Sequence, residues 1–431
     1  MSSIWRAEGL PRFKSLSGDV QTDVLIIGGG IAGLLTAYFL RQNGVDCVVA
    51  EKSRIASGTT RNTTAKITTQ HGLLYYRLAV SRGAGTARQY YEANRLALDT
   101  YAHLCRQIDC GFEEQDDYVY ALTDRQKLEN ERKALRAIGC PATVCDHPPL
   151  PMDTVGALRV PGQAQFDPLR FLAAIAADLP VYENTWVRAM EGTTAVTDTG
   201  RIRARRVVVT THFPFINKHG SYFLKLYQHR SYVIALENAP CPDGMYVDES
   251  DTGLSFRRAG ELLLLGGGGH RTGKPGGGYE ELRAFAAAHY PQARECAHWA
   301  TQDCMSLDGI PYIGHYSART PHLYVATGFN KWGMTGAMTA ALLLTGELIG
   351  SPLAWADVFS PSRSILHPQL AANAWESTLG LLYPTLRRCP HLGCALHWNA
   401  AEHSWDCACH GSRFSRDGRV LDNPANGDLT Q

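Results

Sequence analysis

Apolar runs broken by glycine turns form the clearest pattern in the N-terminal part of the chain. Val24–Ile27 are consecutive apolar residues, as expected for a buried parallel strand. They run into Gly28–Gly33, with the sequence GGGIAG, which opens an apolar helix that ends near Gly44. A second apolar run, Cys47–Ala50, stops at an acidic residue. This order predicts a strand, a glycine turn, a helix and a second parallel strand.

Helical and strand patterns alternate further along the chain. Residues 73–108 and 125–138 have helical spacing with charges on one face, and we expect them to form part of a second unit that covers the first. Strand patterns dominate between about 222 and 270, which predicts an antiparallel sheet forming a substrate domain. We also expect a helix at Leu169–Ala177 after the turn Gln163–Pro168, strands at Glu183–Val187, Val207–Thr211 and Leu323–Thr327, and an apolar helix from about Thr335.

Charge is nearly balanced along the chain, with 42 basic and 41 acidic residues among 431. This balance argues against a nucleic acid or an anionic membrane as partner, and the length suits two or three domains. The most basic stretch has Arg201, Arg203, Arg205 and Arg206 alternating with small and apolar residues ahead of Val207–Thr211. We interpret it as a solvated strand edge.

Neither a signal peptide nor a membrane span is predicted. The N-terminal residues lack an apolar core segment, and the longest apolar stretch, Met334–Ile349, contains Gly, Thr and Glu. We therefore expect a cytoplasmic protein. Eight of the 12 cysteines are scattered, as expected for free thiols in a reducing compartment. The other four lie close together near the C-terminus and need a separate explanation.

The first glycine turn has the spacing of a dinucleotide-binding loop. Gly28 permits the tight turn, Gly30 lets the backbone approach a pyrophosphate, and Gly33 lets the helix pack on the strand. The N-terminus of the helix supplies N–H groups for the phosphates. Glu51, 18 residues after Gly33, is placed to bind a ribose.

Two further segments have the composition of ligand-binding loops. Lys52–Lys66 is dense in hydroxyl groups and small side chains, as expected where backbone passes a polar ligand, although an ordinary surface loop has a similar composition. Leu323–Thr327 is followed by Gly328–Thr335, which forms a second glycine turn before a helix. Its N–H groups can meet negative charge, such as that of a reduced flavin ring.

The pairing of VLIIGGGIAG…AEKS with DGIPYIG…ATGFNKWGMTGA resembles the FAD-dependent oxidoreductases of the D-amino-acid oxidase and glycine oxidase superfamily over roughly residues 20–355. The resemblance implies FAD as the dinucleotide, with the glycines and Glu51 on its ADP half. Lys52 and Val187 are further expected FAD contacts. The isoalloxazine ring would lie between two sets of residues: Thr59, Thr60, Thr64 and Lys66 on one side, and Gly328, Trp332, Gly333, Met334 and Thr335 on the other.

The chemistry of that family is removal of a hydride from the carbon that bears an amine, with FAD as acceptor. The protein positions the substrate and stabilises charge. Family members often hold a substrate carboxylate with Arg or Tyr, so Arg257, Tyr232 and His270 are candidate catalytic residues by their position in the predicted sheet. Each could equally be a hydrogen-bonded residue of the sheet.

A metal-binding pattern lies near the C-terminus. Cys389-x-His391 is followed, after a gap of 15 residues, by Cys407-x-x-His410. Two Cys and two His could bind a structural Zn²⁺, or the region could be a metal-free disulfide knot. A C-x-H pair and a C-x-x-H pair on two loops favour a Rieske [2Fe-2S] centre, in which two thiolates hold one iron and two imidazoles the other.

The flanking sequences HLGC and CxCHGSRF closely resemble Rieske loops. The resemblance implies Cys389, His391, Cys407 and His410 as ligands and a disulfide between the second cysteine of each loop. Those cysteines are Cys394 and Cys409. Two features depart from the family. The segment is minimal, with only about 30 residues between the flavin domain and the first ligand, and Ala408 replaces the usual proline of the second loop.

The expected fold class is α/β, with a Rossmann-type, glutathione-reductase-like FAD-binding domain, an antiparallel-sheet substrate domain and a small C-terminal Rieske-like β segment. We expect the limits to be 20–80, 155–215 and 300–355 for the FAD-binding domain, 81–154 and 216–299 for the substrate or cap domain, 356–384 for a linker, and 385–431 for the minimal Rieske domain.

The expected function combines the two cofactors. An amine, amino acid or N-methylated compound would be oxidised at FAD, and electrons would leave singly through the cluster to a carrier such as a ferredoxin-like protein. The cluster potential would lie at roughly −150 to +300 mV. Two alternatives stay open: a reductase in which electrons enter at the cluster, and an O₂-using oxidase with a structural or redox-sensing cluster.

Overall fold

Three sheets and the helices between them make up the described part of the chain, residues 3–250 and 253–429, in the computed structural model. The helices are α1 Ile31–Gln42, α2 Leu74–Arg82, α3 Ala84–Cys105, α4 Arg125–Ala137, α5 Pro168–Ala176, α6 Tyr222–Lys225, α7 Gly278–His289, α8 Gly333–Leu348, α9 Ala356–Phe359 and α10 Pro368–Leu382. Within these described ranges, no helix is both long enough and apolar enough to cross a membrane.

The strands are numbered in chain order and are distributed over the three sheets. They are β1 Val20–Ile27, β2 Cys47–Ala50, β3 Lys66–Ile67, β4 Glu113–Ala121, β5 Thr143–Cys145, β6 Gly156–Gln165, β7 Val181–Tyr182, β8 Val187–Glu191, β9 Thr194–Thr197, β10 Arg201–Val209, β11 Leu226–Glu237, β12 Met245–Asp248, β13 Ser255–Ala259, β14 Leu262–Arg271, β15 Arg294–Ser306, β16 Tyr312–His315, β17 Leu323–Thr327, β18 Leu396–Asn399, β19 Ser404–Cys407, β20 Arg413–Ser415 and β21 Val420–Asp422.

The first sheet carries the glycine turns that the sequence singles out. Its strands run in the order β16-β17-β10-β1-β2-β7, and β1 lies in parallel between β10 and β2. The apolar residues of β1 are buried because α1 and α8 cover the sheet. The predicted strands Cys47–Ala50 and Leu323–Thr327 are confirmed residue for residue. The predicted α/β fold is therefore confirmed in its central unit.

Two strand predictions near the first sheet are wrong in detail. The basic alternation does not precede a strand but forms the first part of β10, in which Arg201, Arg203 and Arg205 are exposed while Ile202 is buried. The predicted strand Glu183–Val187 is absent, because its polar side chains bind backbone elsewhere. Glu183 accepts hydrogen bonds from the N–H groups of Phe13 and Ile55, and the strand pairing resumes only in β8.

The second sheet has strand order β15-β11-β14-β13-β12-β4-β6-β3 and is mostly antiparallel, as the strand patterns between 222 and 270 predict. The predicted limits assign β3, β6 and the end of β15 to the FAD-binding domain, but these strands pair within the second sheet. β15 is continuous across the limit placed at residue 299. A strand of 13 residues bridges the two units, so the sheet and the glycine-turn unit share chain segments.

Alternation along β11 and β15 gives the second sheet two distinct faces. Val233 and its partner Trp299 belong to the core shared with the first sheet, and we call their side the inner face. Tyr232 packs in a separate core with Leu282 of α7, and we call that side the outer face. Arg230 alternates with Ser231 onto the outer face.

The C-terminal segment, residues 385–429, forms the third sheet, β18–β21, and lies against the outer face of the second. Arg230 forms a bidentate ion pair with Glu402, with Nε 2.9 Å from Oε1. Gln302 donates to the carbonyl of Gly411 at 2.8 Å. The predicted linker, residues 356–384, contains helix α10, which precedes this segment in the chain. The segment therefore has few strands of its own and rests on the rest of the chain.

Candidate functional site

The first glycine turn leaves no room for side chains. Gly28 has φ +114°, a conformation that favours glycine, and α1 begins directly after Gly30. A methyl group on Gly33 would overlap the carbonyl oxygen of Gly28 and come within 2.8 Å of Thr210 Oγ1. The strand and the helix therefore approach closely, and the N-terminus of α1 lies at the turn, where N–H groups of a helix favour negative charge.

Glu51 lies at the end of β2 beside this turn. Its carboxylate accepts hydrogen bonds from the N–H of Gly29 at 2.7 Å and from the N–H of Ser53 at 2.8 Å. Burial raises the pKa of Glu51, and these two backbone donors oppose that change. The side chain is thus fixed at the turn, where the sequence places a ribose-binding acid.

A cavity of about 1610 Å³ extends from this turn past residues of both faces of the second sheet and reaches the C-terminal segment. Most residues predicted to contact FAD line it: Gly28, Gly30, Glu51, Lys52, Thr59, Thr60, Thr64, Lys66, Val187, Trp332, Gly333 and Met334. Gly33, Gly328 and Thr335 lie behind this wall. Thr335 Oγ1 donates to the Thr68 carbonyl at 3.0 Å and so ties the second glycine turn to the loop of the first.

The three catalytic candidates do not meet in one site. Tyr232 and His270 lie on the outer face, where the Tyr232 hydroxyl contacts His270 Nε2 at 3.1 Å. Arg257 donates to the carbonyl of Thr64 and to Gln165, so it supports the hydroxyl-rich loop from behind. Of the three, Tyr232 alone lines the cavity. Their catalytic roles stay predictions, and Arg257 and His270 are hydrogen-bonded residues of the sheet.

His71 is a cavity residue that the sequence did not reveal. It is 5% exposed, stacks on Trp332 with ring centroids 5.1 Å apart, and bonds Tyr90 through Nδ1 at 2.7 Å. Its Nε2 contacts Thr335 Oγ1 at 3.0 Å. Burial lowers the pKa of His71 to about 3. A single histidine in a polar loop has no local sequence signal, because its partners lie up to 264 residues away.

His71 stays neutral in the folded chain, so the free energy of unfolding should fall as the pH is lowered. An unfolded histidine has a pKa of about 6.5, so below that pH the unfolded chain binds a proton that the folded chain refuses until about pH 3. We expect His71 to cost about 2 kcal/mol of stability between pH 7 and pH 5. Urea unfolding at the two pH values, at equal FAD content, should show a smaller loss for His71→Gln than for the wild type. Equal losses would contradict this role.

The four predicted metal ligands come together in the C-terminal segment. Cys389 and Cys407 are buried with their thiols in hydrogen-bond contact, which lowers the pKa of Cys389 to about 7. The rings of His391 and His410 lie 4.9 Å apart. Nδ1 of His391 and both ring nitrogens of His410 are buried without a hydrogen-bond partner among the described residues. Leaving such atoms unpaired costs about 1–3 kcal/mol each, so the site suits a metal centre.

A disulfide joins Cys394 and Cys409, as the resemblance to Rieske loops implies. The sulfurs of Cys394, Cys407 and Cys409 lie within 4.8 Å of one another. Since two of these sulfurs are bonded to each other, Cys407 is the one thiol of the three that can bind metal. The disulfide therefore clamps the two loops beside the ligands and takes no part in the ligand set.

Aromatic residues that follow β10 face the two histidines. The Phe213 ring lies 6.3 Å from the ring of His391 and 6.2 Å from that of His410. Asn217 Oδ1 lies 2.9 Å from His391 Nε2, which leaves Nδ1 for a metal. Burial lowers the pKa of His391 to about 4 and that of His410 to about 3, so both are neutral and able to bind iron.

Comparisons with known proteins agree with this geometry. The family model for DAO, FAD-dependent oxidoreductases, matches residues 23–346. The chain belongs to this family of FAD-dependent oxidoreductases. The model for the Rieske [2Fe-2S] domain matches residues 373–431. The enzyme is thus an FAD oxidoreductase that carries a Rieske domain, and it binds FAD and a [2Fe-2S] cluster.

Individual relatives cover either the whole chain or one part. A Bacillus subtilis (strain 168) protein, YhfW, whose name describes it as a Rieske 2Fe-2S iron-sulfur protein, is 34% identical over 98% of this chain and 95% of its own length. Glycine oxidase from Geobacillus kaustophilus has a TM-score of 0.67 at 22% identity and covers 80% of this chain and 100% of its own. The chloroplastic cytochrome b6-f iron-sulfur subunit of Oryza sativa subsp. japonica is 54% identical over 37 residues, which are 9% of this chain and 16% of that subunit.

The residues present fit both cofactors of this oxidoreductase. For FAD, the glycine cradle admits no Cβ at Gly33, and the cavity continues from Glu51 to the second glycine turn. For the cluster, two thiols and two imidazoles with unpaired nitrogens are the donor set of a mixed Cys/His centre. FAD supplies two-electron oxidation and the cluster one-electron transfer, while the protein holds both in place.

Proposed function

We propose that this oxidoreductase oxidises the C–N bond of an amine, amino acid or N-methylated compound at FAD and passes electrons singly through the cluster to an external acceptor. In balance, the substrate loses a hydride and a proton to become an imine, and two one-electron acceptors are each reduced once. The observation that carries the proposal is the position of the second cluster loop, because Gln302, which lines the FAD cavity, donates a hydrogen bond to Gly411 of that loop.

The two faces of β11 and β15 support this arrangement. Thr301 and Asp303 line the cavity from the inner face. Between them, Gln302 reaches the outer face and donates to Gly411, in the loop of the ligands Cys407 and His410. Adjacent residues of one strand thus contact the cavity and the cluster loop. This proximity supports a direct internal route between the cofactors.

Polar groups on the inner face are suited to hold an amine. Asp303 is half-buried and accepts a hydrogen bond from Ser231 at 3.1 Å. Burial raises the pKa of Asp303, and Lys331 opposes that change. Thr301 Oγ1 is buried without a partner among the described residues. These groups would orient the nitrogen of the substrate, and the name of the fold relative glycine oxidase supports C–N oxidation.

The proposal predicts two phases when the oxidised protein meets its amine substrate without oxygen. We expect the flavin absorbance to bleach first and the cluster signal to follow, because reducing equivalents leave the cavity across the sheet. Stopped-flow absorbance with a panel of amines, amino acids and N-methylated compounds measures both phases. A ferredoxin-like carrier added afterwards should be reduced in two equivalents per substrate.

The variant Cys407→Ser serves as the matched control, since it should show the flavin phase without the cluster phase. A wild-type flavin that bleaches while its cluster stays oxidised would overturn the proposal and favour an oxidase that uses O₂ directly. Cluster reduction by a reduced carrier, followed by flavin reduction, with no response to any amine, would favour the reverse direction.

A further inference from the structure

Arg271, the last residue of β14, lies between the wall of the FAD cavity and the second cluster loop. Its Nε donates to the carbonyl of Ala408 at 3.1 Å and its Nη2 to that of Cys409 at 3.3 Å. These two residues separate the ligands Cys407 and His410 in the sequence. On its other side, the guanidinium lies 5.0 Å from the ring centroid of Tyr227, which lines the cavity. Arg271 therefore contacts the cluster loop directly and the FAD cavity through Tyr227.

No carboxylate of the described residues, 3–250 and 253–429, forms an ion pair with Arg271. Its third donor, Nη1, binds the amide oxygen of Asn373 at 3.0 Å. The acid that lies near, Glu376, pairs with Lys274 at 2.6 Å. A half-buried cation thus faces the cluster loop with neutral hydrogen-bond partners, and Glu376 acts on it from a greater distance.

A cation in this position would change the midpoint potential of the cluster. Reduction adds one electron to the iron–sulfur core and forms or breaks no bond, so the charge of the centre falls by one. A positive charge held close by, in a poorly hydrated interface, stabilises the reduced form more than the oxidised form. The potential of such centres depends on nearby charge and hydrogen bonds.

We propose that Arg271 of the second sheet is a positioning residue that raises the midpoint potential of the Rieske cluster and fixes its second loop on the flavoprotein. A Rieske segment with few strands of its own would thus obtain its electrostatic environment from the sheet that covers FAD. This role holds for either direction of electron flow and depends on the cluster alone.

The test compares the cluster potentials of wild type, Arg271→Gln, Arg271→Lys and Asn373→Asp in holoenzyme. Dithionite with redox mediators reduces the cluster, and electron paramagnetic resonance follows it. Arg271→Gln should shift the potential downward, and Arg271→Lys should shift it less because the charge remains. Asn373→Asp keeps the arginine and its loop hydrogen bonds but places a carboxylate on Nη1, so it should also shift the potential downward.

Arg283→Gln is the matched control, because Arg283 on α7 pairs with Glu280 and Glu295 and does not touch the cluster loop. It should leave the potential unchanged. If Arg271→Gln fails to hold its cluster, Asn373→Asp alone decides the question. A wild-type potential in Asn373→Asp, or in a cluster-loaded Arg271→Gln, would overturn the proposal. The redox titration needs no substrate, so its outcome is independent of whether amines reduce the enzyme.

Discussion

Cys407→Ser is expected to lose the [2Fe-2S] cluster completely and to keep FAD. Cys407 is 1% exposed, and its thiol is in hydrogen-bond contact with that of the other cysteine ligand, Cys389. A serine hydroxyl is a poor replacement for a thiolate ligand to iron, and the remaining three groups cannot close the site. Cys407 does not line the FAD cavity, so flavin binding should persist.

Iron and sulfide analysis, with the electron paramagnetic resonance spectrum of a dithionite-reduced sample, measures this loss. The flavin absorbance gives the FAD content. Cys140→Ser is the matched control, because Cys140 is an equally buried free thiol that contacts neither cofactor site. Zinc without iron in the wild type, or a full cluster in Cys407→Ser, would contradict the assignment of the ligands.

Gly33→Ala is expected to abolish FAD binding while the cluster ligands stay intact. The added methyl group would overlap the Gly28 carbonyl, so α1 would have to move away from β1. That shift removes the helix N-terminus from the pyrophosphate position, and overpacking costs a further 1–3 kcal/mol, roughly. We expect purified protein without yellow colour and with a lower melting temperature.

The FAD content after gel filtration and the melting temperature with added FAD measure this effect. Gly85→Ala is the control substitution, because Gly85 lies exposed in α3 with nothing within 4 Å of an added Cβ. It should bind FAD like the wild type. Normal FAD content in Gly33→Ala would show that the first glycine turn does not hold the cofactor as proposed.

Local signals explain which parts of the fold were predictable. Cys47–Ala50 and Leu323–Thr327 are continuous apolar runs, and buried parallel strands need no partner in the sequence to be recognised. The conformation around Glu183 could not be predicted in this way, because its carboxylate accepts hydrogen bonds from Phe13 and Ile55, which lie in distant segments. Arg201–Val209 is one strand, although the change from exposed arginines to buried valines suggested a boundary within it.

The functional sites also contain some residues that the sequence indicates and others that depend on distant contacts. The glycine turns and the Cys/His loops have fixed spacings, so the sequence alone indicates them. The sequence predicts the sheet that contains Tyr232 and His270, but a register shift between Arg230 and Tyr232 and the packing of α7 decide which face they take. The contact of Arg271 with Ala408 joins residues 137 apart and leaves no local pattern.

The packing of the C-terminal segment against the second sheet also affects when the cluster can be inserted. Gln302 and Arg271 can hold the cluster loop only after β11, β14 and β15 have paired. We therefore expect iron and sulfide to be inserted late, into a chain whose flavoprotein part has already folded. A protein made under riboflavin starvation should then be poor in iron as well, although the flavin and the cluster share no ligand.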